Sequence, residues 1–303
     1  MTKHTTPAAE LHANVSVPFN QARAMPKSVY TSAEFLEQEQ RHIFAHDWLC
    51  AGRAETLPNA GDYLTMKIAG EPILVLRDRD GEIRAMSNVC RHRMSTLLEG
   101  RGTVRTITCP YHAWAYNLDG TLRGAPAMTL NEGFCKEQIA LPKVRCEIWQ
   151  GWIMVTLNPD APSPEVGLAG VRDLIPNLDM STYTETYREA FRWATNWKVL
   201  AENFMESYHL PMCHAGTIGG ASKLEEMICP EGTSAFNYHW ILKNDSVPLA
   251  LAHPSNTTLQ GDDRRKTWLL AIYPSLLITL TPGYFWYLSL TPDGAGHVNV
   301  LFG

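Results

Sequence analysis

The sequence predicts an α+β protein in two parts, a small β domain followed by a region that mixes helix and sheet. Three observations carry this reading. From Trp48 to Val155 the chain runs in short alternating segments joined by turn dipeptides, with Asp80-Gly81 and Asp119-Gly120 at two hairpin tips. Pro159, Pro162 and Pro164 then punctuate the chain and place a break near 158–166. Farther on, Thr267 to Thr291 contains no charged residue but is interrupted by Pro274 and by Pro282-Gly283. A membrane span needs about 20 unbroken apolar residues. Here β-branched and aromatic residues dominate, so the run reads as three buried strands.

Length and composition agree. A chain of 303 residues suggests about two domains. Net charge is −5, from 26 basic and 31 acidic residues, with no basic block longer than Arg264-Arg265-Lys266. That excludes the concentrated positive footprint of a nucleic-acid binder. Of the seven cysteines, Cys50, Cys135, Cys146, Cys213 and Cys229 read as buried or spare thiols in a reducing compartment. The N-terminus has no apolar signal core, which predicts a cytoplasmic protein.

In chain order, Met1 to about Lys27 is polar and aperiodic and predicts a loose arm. Thr31-Ser32-Ala33-Glu34 has capping-box spacing and opens a helix to about His46, with Phe35, Ile43 and Phe44 on its apolar face. His42 and His46 lie four apart on it, a spacing found more often on a surface than around a metal. Strands follow at Asp62–Ile68, Pro72–Leu76 and Ile83–Met86, Ala115–Leu122 is a hairpin turning at Asp119-Gly120, and Ile148–Val155 forms a closing hairpin. The second part begins with a helical piece near Gly167–Leu178, a strand near Tyr183–Trp193 and a helix from Trp197.

Two stretches carry chemistry. The first is Cys90-Arg91-His92, then sixteen residues, then Cys109-Pro110-Tyr111-His112. Each loop offers one thiolate and one imidazole, which suits a [2Fe–2S] cluster with one iron on two cysteines and the other on two histidines. The plainer alternative is a structural Cys₂His₂ zinc site, although such motifs usually pair like with like. The second is Asn196 to His214. Pro211 biases Leu210 away from the α region, so the helix is expected to end at His209 or Leu210. A break there can bring His209 and His214 together, with Glu206 on the same face as His209. Two histidines and a carboxylate are the facial triad of non-haem Fe(II) oxygenases. A His-x₄-His pair is not specific by itself.

Both stretches resemble one family. Cys90-Arg91-His92-Arg93 and Cys109-Pro110-Tyr111-His112-Ala113-Trp114 look like the cluster loops of Rieske non-haem iron ring-hydroxylating oxygenase large subunits. Met94 and Ala113 stand where that family usually has Gly. Residues 196–214 resemble its N-W-K…E-N-x₂-D-x₂-H-x₄-H motif. Carried over, His209 and His214 become iron ligands, Glu206 replaces the aspartate linking cluster to iron, and Asn203 sits beside the iron. Family members acting on quaternary ammonium compounds include ones with Glu at this position.

The resemblance implies a β-rich Rieske domain over 47–158 and a catalytic domain with an antiparallel sheet over 166–303. Residues 1–46 would then be an arm and helix packing with the catalytic domain. It implies a [2Fe–2S] cluster, mononuclear Fe(II), O₂ as co-substrate, a head-to-tail homotrimer and electrons from an NAD(P)H-dependent reductase, with or without a ferredoxin. No Gly-rich dinucleotide fingerprint occurs in the chain itself. The family's third iron ligand is an acidic residue beyond the last strands, and none follows Asp293 here, so a truncated representation is expected. Asp262 and Asp263 are candidates only outside that topology. Three functions stay open: a terminal oxygenase, an electron carrier, or a zinc-stabilised binding module. For an oxygenase the lean is towards a quaternary or N-methylated amine, with an aromatic ring or acid as the alternative. Trp193, Tyr238, Trp240, Trp268, Tyr273, Phe285, Trp286 and Tyr287 could cage a cation, line a slot for a ring or fill the core.

Overall fold

A computed structural model describes residues 6–219, 223–243 and 250–303. The chain divides into two compact units: Phe44–Thr186, and the N-terminal residues to Ile43 joined with Tyr187–Gly303.

The N-terminal stretch is more regular than a loose arm. α1 (Pro7–Val15) is capped by Thr6, whose hydroxyl accepts from Ala9 N–H, and it buries no residue. α2 (Ser28–Thr31) and α3 (Ala33–Glu39) follow. Ser32 rather than Thr31 caps α3, accepting from Phe35 N–H at 3.1 Å. α3 passes into one π-helical turn, Gln40–Phe44, so the helix stops short of His46. His42 and His46 are both exposed, and no helix carries them together.

The unit Phe44–Thr186 is built from hairpins. Its strands are β1 (Leu49–Arg53), β2 (Asp62–Ile68), β3 (Glu71–Arg77), β4 (Ile83–Ser87) and β5 (Arg101–Thr103). They continue with β6 (Ile107–Thr108), β7 (Ala115–Tyr116), β8 (Leu122–Gly124), β9 (Lys143–Trp149) and β10 (Trp152–Thr156). Seven form one antiparallel sheet in the order β1-β10-β9-β4-β3-β2-β5, and β6-β7-β8 form a second, small sheet. The turns use the expected residues: Gly81 at φ 86° and Gly120 at φ 89° adopt the left-handed backbone that glycine tolerates. The core packs Leu74, Leu76, Ile107 and Leu122 around Cys90 and Cys109, so both cysteines belong to the apolar layer. Beyond β10, α4 (Pro164–Gly167) and α5 (Ala169–Leu174) stand where one helix to Leu178 was expected.

The other unit is organised by α6 (Trp197–Met205) and a seven-stranded sheet. α7 (Leu210–Cys213) follows α6 closely. The strands are β11 (Glu189–Trp193), β12 (Met227–Ile228), β13 (Phe236–Leu242), β14 (Lys266–Ile272), β15 (Leu276–Leu280), β16 (Phe285–Pro292) and β17 (Val298–Phe302). All pairs are antiparallel, in the order β11-β17-β16-β15-β14-β13-β12. The uncharged run supplies β14, β15 and β16 as expected, whereas the strand expected from Tyr183 begins only at Glu189.

Side chains from the N-terminus fasten α6. Lys198 Nζ lies 2.7 Å from the Glu39 carboxylate, and Trp197 Nε1 donates to the same group at 3.1 Å, all buried. Tyr30 donates its hydroxyl to Glu202 at 2.8 Å. Burial, then Glu202, pushes the Tyr30 phenol up to about 12, and burial raises the Glu202 carboxyl.

Strand register divides the aromatic candidates. His239 pairs with Leu269, Leu269 with Thr279, and Thr279 with Trp286, so these residues share one face of the sheet. Phe204 of α6 meets Trp286 edge-on at 5.3 Å, so α6 covers that face. Tyr238, Trp240, Trp268, Phe285 and Tyr287 alternate onto the opposite face, and Tyr273 lies in the turn before β15. The eight aromatics therefore do not form one cage. Lys266 already stands over Trp240 and Trp268, at 5.7 and 5.2 Å.

Candidate metal centres

The first candidate centre is made by two loops with one shared backbone pattern. Cys90 N–H donates to the Ser95 carbonyl at 2.8 Å, and Met94 N–H donates back to Cys90 at 3.1 Å. In the second loop Cys109 N–H donates to Trp114 at 2.8 Å, and Ala113 N–H donates to Cys109 at 3.1 Å. Met94 and Ala113, each four residues after its cysteine, both have φ 56°. A side chain in that conformation costs about 1–2 kcal/mol, which glycine avoids. The two departures from the family pattern thus fall where the backbone is left-handed, and the loops keep that shape without glycine. The first loop is closed by a bridge between Val89 and Thr96, and the second spans the β6–β7 hairpin.

Within these loops the thiols point inward and the imidazoles outward. Cys90 and Cys109 are buried, His92 is half-buried and His112 is exposed. The two imidazole centroids are 4.7 Å apart, and His92 stacks on Trp114 at 4.9 Å. Burial, then His112 and Arg93, holds His92 below its ordinary range and favours the neutral, metal-binding form. Its Nδ1 is buried with no hydrogen-bond partner, a lone pair that a metal would satisfy. Burial pushes the Cys109 thiol up, but Tyr111 and His112 N–H donors, Cys90 and Ser95 outweigh it, and the net direction is down. The buried Tyr116 hydroxyl lies 3.4 Å from Cys90 Sγ and accepts from Arg91 N–H at 3.0 Å. Two thiols in the core and two imidazoles at its rim suit a cluster whose irons differ in ligation.

The second candidate centre follows α6, and its geometry corrects the expected helix. α6 ends at Met205, and Glu206 has extended backbone at φ −114°, ψ 147°. The Glu206 carboxylate accepts from the N–H groups of Tyr208, at 2.6 Å, and His209, at 3.3 Å. This draws both donors away from a continuing helix. Leu210 then opens α7 with Pro211 in its first turn, where a missing N–H breaks no helical bond, so Pro211 starts a helix here instead of ending one. His209 Nδ1 donates to Glu206 Oε1. That leaves Nε2 free to bind, the arrangement in which a carboxylate orients a metal-bound imidazole. The His209 and His214 centroids are 5.3 Å apart at 62°, with His214 exposed.

These two imidazoles fit two positions of a facial triad. Among the described residues no third His, Cys, Asp or Glu side chain joins His209 and His214 in a group that could hold a metal ion. Asn203 is exposed on α6. Asp262 and Asp263 pair with Arg265 and Lys266, at 3.0 and 3.4 Å. No described helix is long and apolar enough to cross a membrane.

Fold and donor sets together define a two-domain iron protein, and comparison with known proteins agrees. Residues 47–139 match the Rieske [2Fe-2S] domain, and residues 180–302 match the catalytic domain of the ring-hydroxylating alpha subunit. The chain belongs to the Rieske ring-hydroxylating oxygenase alpha subunits, whose two domains bind a [2Fe–2S] cluster and mononuclear non-haem iron.

Among relatives, the carnitine monooxygenase oxygenase subunit of Acinetobacter baumannii is 36% identical over 205 residues, covering 64% of this chain and 53% of its own length. The glycine betaine monooxygenase oxygenase subunit of Chromohalobacter salexigens is 31% identical over 236 residues, covering 75% and 52%. The crystal structure of a quaternary ammonium Rieske monooxygenase with a bound inhibitor superposes with a TM-score of 0.80 at 27% identity, covering 93% of this chain and 75% of that one. The chain spans about half the length of the curated relatives it matches.

Sequence reading passed over three residues that the structure brings to these centres. Tyr116 was read only as part of a hairpin, Ser207 as helix, and His239 not at all. For His239 a signal existed: strand alternation puts it on the buried face with Ile241, where a polar group needs a partner. Ser207 Oγ supplies one, 3.0 Å from His239 Nε2.

Proposed function

We propose that this chain is the terminal oxygenase component of a Rieske non-haem iron system acting on a small quaternary or N-methylated amine. The observation that carries the reading is the coexistence of two donor sets, the four-residue set in the cluster loops and the His209–His214 pair oriented by Glu206. The names of the relatives support the substrate class.

In this reading Cys90, Cys109, His92 and His112 hold the cluster, and His209 and His214 hold the iron. With both groups bound, one oxygen atom of O₂ enters a C–H bond beside nitrogen and the other leaves as water, consuming two electrons and two protons. Glu206 fixes the proton of His209 on Nδ1, and its carboxylate, partly open to solvent, would connect the iron to a cluster histidine of the neighbouring subunit. Asn203 stands beside the iron as a polar neighbour. Of the aromatic candidates, Trp286 lies on the sheet face towards α6 and would supply aromatic surface for a cationic substrate. Hydroxylation at an N-bound carbon leads on to demethylation. Electrons come from a separate NAD(P)H-dependent reductase, with or without a ferredoxin, and the working assembly is a homotrimer in the cytoplasm. The Rieske domain extends over 47–158, and the catalytic domain comprises 166 onward together with the N-terminal 1–46.

Electron paramagnetic resonance of the purified protein tests this, followed by turnover with reductase on choline-like, betaine-like and benzoate-like compounds. A rhombic [2Fe–2S] signal, a separate ferrous site and product from the quaternary amines are expected. A cluster without mononuclear iron would make the protein an electron carrier, and a colourless zinc protein would remove both readings.

A further inference from the structure

We infer that His239 is a positioning residue for the iron-binding segment, anchoring through Ser207 the stretch of backbone that carries Glu206 and His209. This rests on the reading of His209 and His214 as iron ligands. Residues 206–209 belong to no helix, because α6 ends at Met205 and α7 begins at Leu210. Backbone bonds hold only its ends, Glu206 N–H to Glu202 at 3.0 Å and Cys213 N–H to His209 at 2.8 Å, with one turn-type bond from Leu210 N–H to Ser207 at 3.2 Å, so side chains fix what lies between. Glu206 ties the segment to itself, through its own carboxylate and the N–H groups of Tyr208 and His209. Ser207 ties it to the sheet. Its side chain is buried, with Oγ 3.0 Å from Nε2 of His239, which is 2% exposed in the middle of β13.

The surroundings make this bond selective. His239 shares its face with Ile241 and Leu269. Burial holds it neutral, down at about 4, although Glu206 pulls the other way. A neutral imidazole and a hydroxyl can make this bond with either as donor. If the segment shifted along the sheet, both groups would be buried and unsatisfied, at about 1–3 kcal/mol each. One register of the segment is thus favoured, and with it one placement of the His209 imidazole. Groups that orient a ligand typically alter metal affinity by about 10–100-fold when removed. His239 acts one bond farther out, so about tenfold is expected.

The test is Fe(II) titration of protein stripped of mononuclear iron, with a competing chelator, using the cluster spectrum as the control for folding. Ser207→Ala, which removes one oxygen atom, is expected to weaken Fe(II) binding about tenfold and to alter the spectrum of the ferrous–nitrosyl adduct. His239→Leu should do the same, and the double variant should be no worse than either single one. Ser207→Thr, which keeps the hydroxyl, should restore affinity. Unchanged Fe(II) affinity in Ser207→Ala, or losses that simply add in the double variant, overturns the inference. If the wild-type protein itself binds no Fe(II) that His214→Ala abolishes, the ligand reading fails, and the anchor with it.

Discussion

Glu206 and His209 are joined by a hydrogen bond across three residues without sharing a helix, because the carboxylate folds back over a break in the chain. Its Oε1 accepts from His209 Nδ1–H, while Oε2 caps the turn that follows. One side chain thus shapes the segment and orients the imidazole. Glu206→Gln keeps the size and one acceptor oxygen but removes the charge. The variant is expected to retain both metals while transfer from cluster to iron slows by orders of magnitude. Single-turnover reoxidation of the pre-reduced cluster, followed on adding substrate and O₂, checks this. Reoxidation at the wild-type rate with full product would show that Glu206 is not the link.

Tyr116 is expected to tune the cluster. Its hydroxyl lies 3.4 Å from Cys90 Sγ, and burial, then Cys90, pushes its pKa up, so it stays protonated and able to donate. A hydrogen bond to sulfur favours the reduced, more negative cluster. Tyr116→Phe removes it without opening a large cavity. If the bond is worth about 1.4 kcal/mol more in the reduced state, the potential should fall by about 60 mV. Spectroelectrochemistry of the two proteins decides; equal potentials would show that the hydroxyl serves only Arg91 N–H.

The cluster loops were legible in the sequence because their donors lie within single loops, where spacing and geometry are nearly one statement. The left-handed backbone at Met94 and Ala113 was not, since neither residue type announces positive φ. The second centre was half legible. Spacing brought out His209 and His214, but the break at Met205 depends on where the Glu206 carboxylate goes, and Pro211 pointed to a later end. The aromatic residues misled for a different reason. Composition gathers them, whereas the period-two alternation of β13 and β16 divides them between two faces. His239 needed contact information, because its partner lies on a separate element.

The buried pair of Lys198 and Glu39 is expected to be a point of global stability. Both side chains are nearly inaccessible, and Trp197 also donates to Glu39. Removing one partner of such a pair strands the other charge and costs about 3–5 kcal/mol. Glu39→Ala should therefore lower the unfolding free energy by about that much, and adding Lys198→Met should recover part of it. Denaturant titration monitored on the unit that carries α6 would show this. A loss below about 1 kcal/mol would mean that water reaches the pair and screens it.

His239 should also leave a mark on acid stability, with a sign that follows from its burial. Burial, the main cause, holds its pKa in the folded protein down at about 4, against an ordinary histidine value of about 6.5. The unfolded chain therefore binds a proton that the folded chain refuses between these two values. Stability from this group is complete above about pH 6.5, declines as pH falls towards 4, and changes little below that. A shift of this size corresponds to roughly 3 kcal/mol between the two limits. Glu202 works in the opposite direction, because burial raises its carboxyl and protonation relieves the folded state. The raw pH curve mixes both groups, so the informative quantity is the difference between wild type and His239→Gln. It should be measured after removal of mononuclear iron, whose binding is itself linked to protons. The variant is expected to lose less stability than wild type between pH 6.5 and 4.5, with Tm curves converging towards the acid end. A difference that stays constant across this range would show that His239 is protonated in the folded protein, and that its bond to Ser207 is made by an imidazolium.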